Sequence, residues 1–217
     1  MSTEPKLPRL DLRPKTGSEP FHAGGRPLSL PSMTVRDFWS WACSDLVGNS
    51  LRGLIAEYLV ARAVGAERLI RVEWDAYDVL APGEVKIEVK ASGYLQSWHQ
   101  EQLSAPSFDI AAKRSWCADT NTVSAEPARA AHVYVFAVHH HEDKVTVDPL
   151  DVNQWTFYVV PTRVLNDRCA RQRSISVSAL KRLGAEPVGF AALARAIVDA
   201  DGTSAAPASE APAGTKG

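Results

Sequence analysis

Three side chains, Asp78, Glu88 and Lys90, have the types and spacing to hold a shifted proton or a divalent cation. They lie in the stretch Trp74 to Ser92, WDAYDVLAPGEVKIEVKAS, which reads as two short strands joined by a turn at Ala81-Pro82-Gly83. In the second strand Val85, Ile87, Val89 and Ala91 alternate with Lys86, Glu88, Lys90 and Ser92. Successive strand residues point to opposite sides, so Glu88 and Lys90 stand side by side on one surface, with Lys86 on the same face. Asp78 precedes Glu88 by ten positions, and a hairpin folds it back beside them. Two carboxylates that converge without a cation for each repel one another; the usual resolutions are a raised pKa or a bound divalent cation. The plainer reading is a surface ion pair between Glu88 and Lys90, which stabilises little.

The same residues resemble the D-x(n)-E-x-K signature of the PD-(D/E)XK nuclease superfamily, with Asp78, nine intervening residues, then Glu88-Val89-Lys90. An apolar helix with an interior acid, Glu57, precedes the hairpin, as the first core helix of that family does. Ser92-Gly93-Tyr94-Leu95-Gln96-Ser97-Trp98 follows it, where some members place a supporting Gln, here Gln96. Tyr77 stands in place of the proline of the eponymous Pro-Asp, which leaves Asp75 as a rival to Asp78. The resemblance covers roughly residues 49–160.

What the resemblance implies is an α/β, restriction-endonuclease-like core: a central mixed β-sheet of four to five strands flanked by helices. It also implies a Mg²⁺-dependent (or Mn²⁺-dependent) endonuclease that hydrolyses DNA phosphodiester bonds. Asp78, Glu88 and the backbone oxygen of Val89 would hold the ion, and Glu57 would bind it directly or through water. Oxygen ligands suit Mg²⁺ or Mn²⁺. Lys90 would orient the attacking water and offset charge on the scissile phosphate; whether it also takes a proton depends on a depressed pKa. The company this fold keeps suggests restriction or anti-phage defence, and many such enzymes form a homodimer to cut both strands, though no dimer surface is marked in the sequence. Two other classes stay open: a catalytically inactive nucleic-acid-binding module of the same fold, and a structural or toxin-neutralising partner protein with the hairpin as scaffold.

The elements around the hairpin follow from pattern. Thr34, with Asp37 three residues on, forms an approximate capping box for a helix to about Leu46. Gly48-Asn49 breaks it, and Ser50 caps a second helix, Leu51 to about Val64, ended by Gly65. That second helix is apolar almost all round, so it is expected to be buried on most sides. Glu57 is its one acid. A buried, unpartnered carboxylate costs roughly several kcal/mol, so Glu57 needs a metal, a partner such as Arg52 or Arg62, or a solvated edge. Leu95 to about Leu103 is expected to be helical and Phe108 to Ala112 a strand. The run 117–130 reads as a polar connection. Ala131 to Val138 and Trp155 to Val160 read as buried strands. Pro161 opens a turn or short helix, and helices close the chain at Ser178 to Leu183 and Phe190 to Val198. His139-His140-His141 reads as a strand end, because adjacent residues on an extended chain point apart and cannot share one ion.

Composition bounds the rest. A chain of 217 residues with 45% hydrophobic content suits one domain with tails. It divides into a Pro-rich, basic, disordered or draped arm (1–32), a single domain (33–200) and a disordered tail (201–217). With a net charge of −1, DNA binding requires local patches. Candidates are the arm (Lys6, Arg9, Arg13, Lys15, Arg26) and Arg168, Arg171, Arg173, Lys181 and Arg182, whose contacts with phosphate would weaken steeply with salt. Three scattered cysteines, no membrane-length apolar run and no secretion signal point to a cytoplasmic protein with no membrane partner.

Overall fold

The computed structural model describes residues 10, 12–28, 33–66, 70, 71, 73, 75–117 and 121–202. At its centre is a five-stranded mixed sheet built around two long strands, one alternating and one buried throughout. Strand β4 (Val85–Gly93) lies parallel to β8 (Val133–His139), with Glu88 beside Tyr134 and Lys90 beside Phe136. The short edge strand β3 (Val79–Ala81) runs antiparallel to β4, joined through Pro82–Glu84, where Gly83 and Glu84 adopt left-handed φ of 75° and 62°. Beyond β8 come β9 (Trp155–Pro161) and β11 (Pro187–Val188), both antiparallel to their neighbours. All seven residues of β8 are buried, as a continuous apolar run in a central strand requires.

Each face of the sheet has its own covering layer. On one face α2 (Asn49–Ala63) and α5 (Phe190–Asp201) place Ala56, Leu59, Val60, Leu193 and Ile197 against Ile87, Val89, Val133, Val135, Trp155 and Phe157. On the other, Phe108, Ile110, Leu165, Ile175 and Leu180 cover Tyr134, Phe136, Tyr158 and Val160. These come from α3 (Thr162–Arg168), α4 (Val177–Arg182) and the ladder of β5 (Ser107–Asp109) with β10 (Ser174–Ser176). Strand alternation thus puts Ile87 and Val89 under α2 and sends Glu88 and Lys90 to the opposite face.

At the N-terminal side α1 (Val35–Ala42) starts at Thr34, whose side chain accepts from Asp37 N while the Asp37 carboxylate accepts from Thr34 N. The capping box is therefore complete, and the helix stops at Ala42 rather than reaching Leu46. The strands β1 (His22–Ala23) and β2 (Arg26–Pro27) form a small hairpin ahead of it, and Phe21 N and Val35 N donate to Met33 O and Glu19 O. This part of the arm is draped on the domain; Lys6, Arg9 and the tail from 203 lie outside the described residues.

Three further expectations need correction. The second helix begins at Asn49 behind an N-cap at Gly48 that makes no side-chain cap hydrogen bond, so Ser50 lies inside it. The run from Leu95 to Leu103 is a bent loop, not a helix. Side chains replace the helical ladder there: Gln100 accepts from Gln96 N (2.7 Å) and donates to Tyr94 O (3.1 Å), and Gln96 Nε2 donates to Ser104 Oγ (3.2 Å). The polar connection after residue 113 contains a further hairpin, β6 (Trp116–Cys117) with β7 (Thr122–Val123).

Candidate active site

Asp78 enters the site through the backbone. Its N–H donates to Ile87 O (3.0 Å), and its carboxylate then accepts from Val89 N (2.7 Å), so the side chain continues the edge ladder that β3 begins only at Val79. Glu88 and Lys90 follow on the same strand, with the Lys90 ammonium 2.5 Å from Glu88 Oε1. All three line a recess of about 270 Å³, together with Asp75, Asp109, Lys113, Arg114, Trp116 and Tyr134. The recess lies where the second covering layer stops short of the β3–β4 edge.

The electrostatics follow from two acids sharing one base. Burial raises the pKa of Asp78, and the charge of Glu57 adds to this against the Val89 hydrogen bond and Lys90. Burial also raises that of Glu88, with Asp78 as the next cause, although Lys90 opposes both. For Lys90 burial acts downward, but Glu88, Asp78 and Asp109 outweigh it and hold the ammonium above its ordinary value. Lys90 is thus a charged donor in this arrangement and has no depressed pKa to make it a base. Tyr134, opposite Glu88, is held protonated first by burial and then by that carboxylate.

Glu57 sits differently. It rides on α2, the layer under the other face, and forms an ion pair with Arg71, through Arg71 Nε and, at 3.1 Å, through Nη2. Neither Arg52 nor Arg62 is its partner. Glu57 and Arg71 line a second recess of about 230 Å³, with Leu54, Tyr58, Arg62 and Leu80. Asp78 lines both recesses, so Glu57 reaches the site only through the Asp78 edge. Among the described residues no group of three or more His, Cys, Asp or Glu side chains is gathered closely enough to hold a metal.

Gln96 is elsewhere again. It is buried at the end of β4, where its Oε1 accepts from Arg52 Nη2 (2.8 Å), and it does not line either recess. Lys86 shares the face of Glu88, but its ammonium lies 5.5 Å from the Tyr77 ring centre. Asp75 does line the recess, with Oδ1 accepting from Ala76 N. His139 is buried at the end of β8, while His140 and His141 pair separately with Thr156 and Thr146, so the three rings diverge. Arg168, Arg171, Arg173, Lys181 and Arg182 are all exposed on the covering layer of the recess side. Arg173 O accepts from Ile110 N (2.9 Å), which puts that backbone next to Asp109.

Sequence reasoning missed Asp109, Trp116 and Tyr134. Strand pairing brings them in: Tyr134 by its register against Glu88, and Asp109 by the β5–β10 ladder. Lys113 and Arg114 also line the recess, a basic pair just after β5 that nothing in the local pattern aims there.

A family model described as bacteriophage T4 endonuclease IV matches residues 40–177, more than half of the chain. The chain belongs to the bacteriophage T4 endonuclease IV family. No curated protein gives a match. The region matched to this nuclease family holds Asp78, Glu88, Lys90, Glu57 and every residue of the larger recess.

The donor set also suits a hard divalent cation. Two carboxylates face one ammonium, so the trio is one positive charge short, and both acids hold protons more tightly than usual. Mg²⁺ is commonly bound by one or two carboxylates, with water and phosphate oxygens completing the shell. A pair rather than a full cage is enough for that. No helix among the described residues is long and apolar enough to cross a membrane.

Proposed function

We propose that the protein is a divalent-metal-dependent endonuclease that hydrolyses DNA phosphodiester bonds at the Asp78–Glu88–Lys90 recess, with a PD-(D/E)XK-type site. The observation that carries this reading is the pairing of two proton-hungry carboxylates with one ammonium in an open recess, in a chain of an endonuclease family. Asp78 and Glu88, with the backbone oxygen of Val89, would hold Mg²⁺ or Mn²⁺, and Glu57 would contribute from the Asp78 edge on release from Arg71. A bound ion of this kind supplies a water of lowered pKa and a sink for charge developing on the phosphate.

The chain's own groups do the rest. Lys90 donates from its ammonium to the attacking water and to the phosphate oxygens, and the low polarity of a half-buried strand face strengthens that interaction. Tyr134 stays neutral beside Glu88 and adds no negative charge to the recess. Lys113 and Arg114 at the rim, and Arg168, Arg171, Arg173, Lys181 and Arg182 beyond it, hold the flanking phosphates. A place in restriction or anti-phage defence, action in the cytoplasm and a homodimer that cuts both strands are extensions of this reading.

The test is cleavage of DNA by the purified full chain with Mg²⁺ or Mn²⁺. The expected result is nicking or cutting that EDTA stops and that Asp78→Ala and Lys90→Ala abolish without unfolding. Cleavage that survives in both variants overturns the assignment.

A further inference from the structure

We propose that Trp116 is a stacking platform for a nucleobase next to the scissile phosphate. This deepens the nuclease reading and rests on it. Trp116 lines the recess of Asp78, Glu88 and Lys90 and belongs to neither hydrophobic cluster of the described residues. It is 37% exposed, and its cross-strand neighbour Val123 is 60% exposed. The two clusters on the faces of the sheet therefore do not account for a tryptophan here.

The ring is nevertheless held in place. Its only polar atom, Nε1, donates to Asn121 Oδ1 (3.1 Å), which leaves the π faces, not the edge, for a ligand. Asn121 itself adopts a left-handed φ of 51°, a conformation asparagine tolerates. The base of the hairpin is tied twice: Ser124 N donates to Ser115 O (2.8 Å) and Ser115 N to Ser124 Oγ (3.0 Å). Below that, Lys113 and Ala128 exchange both backbone hydrogen bonds, at 3.1 and 2.9 Å. A ring fixed before binding loses little entropy when it stacks.

The neighbours give the class of ligand. Lys113 and Arg114 stand on the same rim, and Lys113 is 2.7 Å from Asp109 Oδ2. A flat aromatic face beside two cations, opening onto the carboxylate pair, matches one nucleotide step: a base on the indole, its phosphates on Lys113 and Arg114. Every base has a π face, so this contact positions the chain without reading sequence.

The experiment measures binding of the full-length protein in EDTA, which separates it from catalysis. The probes are a short single-stranded oligodeoxythymidylate and a deoxyribose-phosphate chain of equal length without bases. Trp116→Ala is expected to weaken binding to the base-bearing probe roughly 10-fold or more and to leave binding to the abasic probe unchanged. Trp116→Phe is expected to retain most of the affinity. Equal losses on both probes, no loss on the base-bearing one, or no binding of either probe by the wild type would overturn the proposal. A wild type that discriminates the probes but cuts no DNA with Mn²⁺ sinks the nuclease reading instead.

Discussion

Strand β4 buries charge at two places, and it does so in opposite ways. At its C-terminal end Arg52 of α2 is 2% exposed, and no ion pair to it is found among the described residues. Its guanidinium donates to Leu95 O and Gln96 Oε1, each at 2.8 Å, and to Asn49. Neutral acceptors hold it, and Gly93 is needed because a Cβ there would lie 2.6 Å from Arg52 Nη1 and 3.1 Å from His139 O. Three and five residues earlier, Lys90 and Glu88 face an open recess with Asp78, and like charges stay in excess. The first arrangement is closed and stabilises the strand end. The second is left unbalanced, and an unbalanced, accessible charge cluster is what a ligand can complete.

The largest expected difference between the two places is in activity. Lys90→Ala and Asp78→Ala should each lower cleavage by about 10³-fold or more with melting temperatures near that of the wild type. Arg52→Met should do the reverse, lowering stability by about 3 kcal/mol in a urea titration, because buried acceptors lose their donor; activity per folded molecule should persist. If Arg52→Met abolished cleavage at full stability, the division between the two places would fail.

Gly93→Ala sharpens the comparison further. It should cost about 1–3 kcal/mol from overpacking, and less when combined with Arg52→Ala, since neighbouring sites couple. Additive losses in that double mutant would show that Arg52 is not what the added methyl meets.

The pH dependences of metal-free protein have opposite signs at the two places. His139, buried against Trp155, has its pKa lowered by burial to about 4 from 6.5. Neither ring nitrogen has a well-formed hydrogen bond among the described residues, although the Asp148 backbone partly offsets burial. The unfolded chain therefore binds the proton more tightly, and stability should fall as pH drops from 6.5 toward 4. His139→Phe should flatten that slope. Asp78 behaves oppositely: its pKa is raised above 3.8 in the fold, so stability should decline as pH climbs past that value. Asp78→Asn should raise Tm by a few degrees at neutral pH, with the gain vanishing in acid. A destabilised Asp78→Asn protein would mean that the Val89 hydrogen bond outweighs the charge repulsion.

Much of the fold was legible because it is periodic. The alternation from Val85 to Ser92 fixed which residues of β4 face together, and the runs at 131–138 and 155–160 announced central strands. The capping box at Thr34 marked a helix start to the residue. The loop at 95–103 was not legible, because Gln100 and Gln96 satisfy the backbone from their side chains, and no period betrays that. Glu57 could be recognised as an acid in need of a partner, but Arg71 lies fourteen residues on, and no local spacing points to it.

The sequence by itself thus determined that Glu88 and Lys90 share a face, since strand geometry alternates whatever the tertiary context. It also determined that a turn at Pro82-Gly83 returns Asp78 toward them. Only the tertiary structure decided that α2 covers the other face, that Glu57 is held by Arg71, and that Asp109, Trp116 and Tyr134 wall the recess. Those outcomes depend on which strands pair and which layer packs where, and such long-range contacts leave no trace in local spacing.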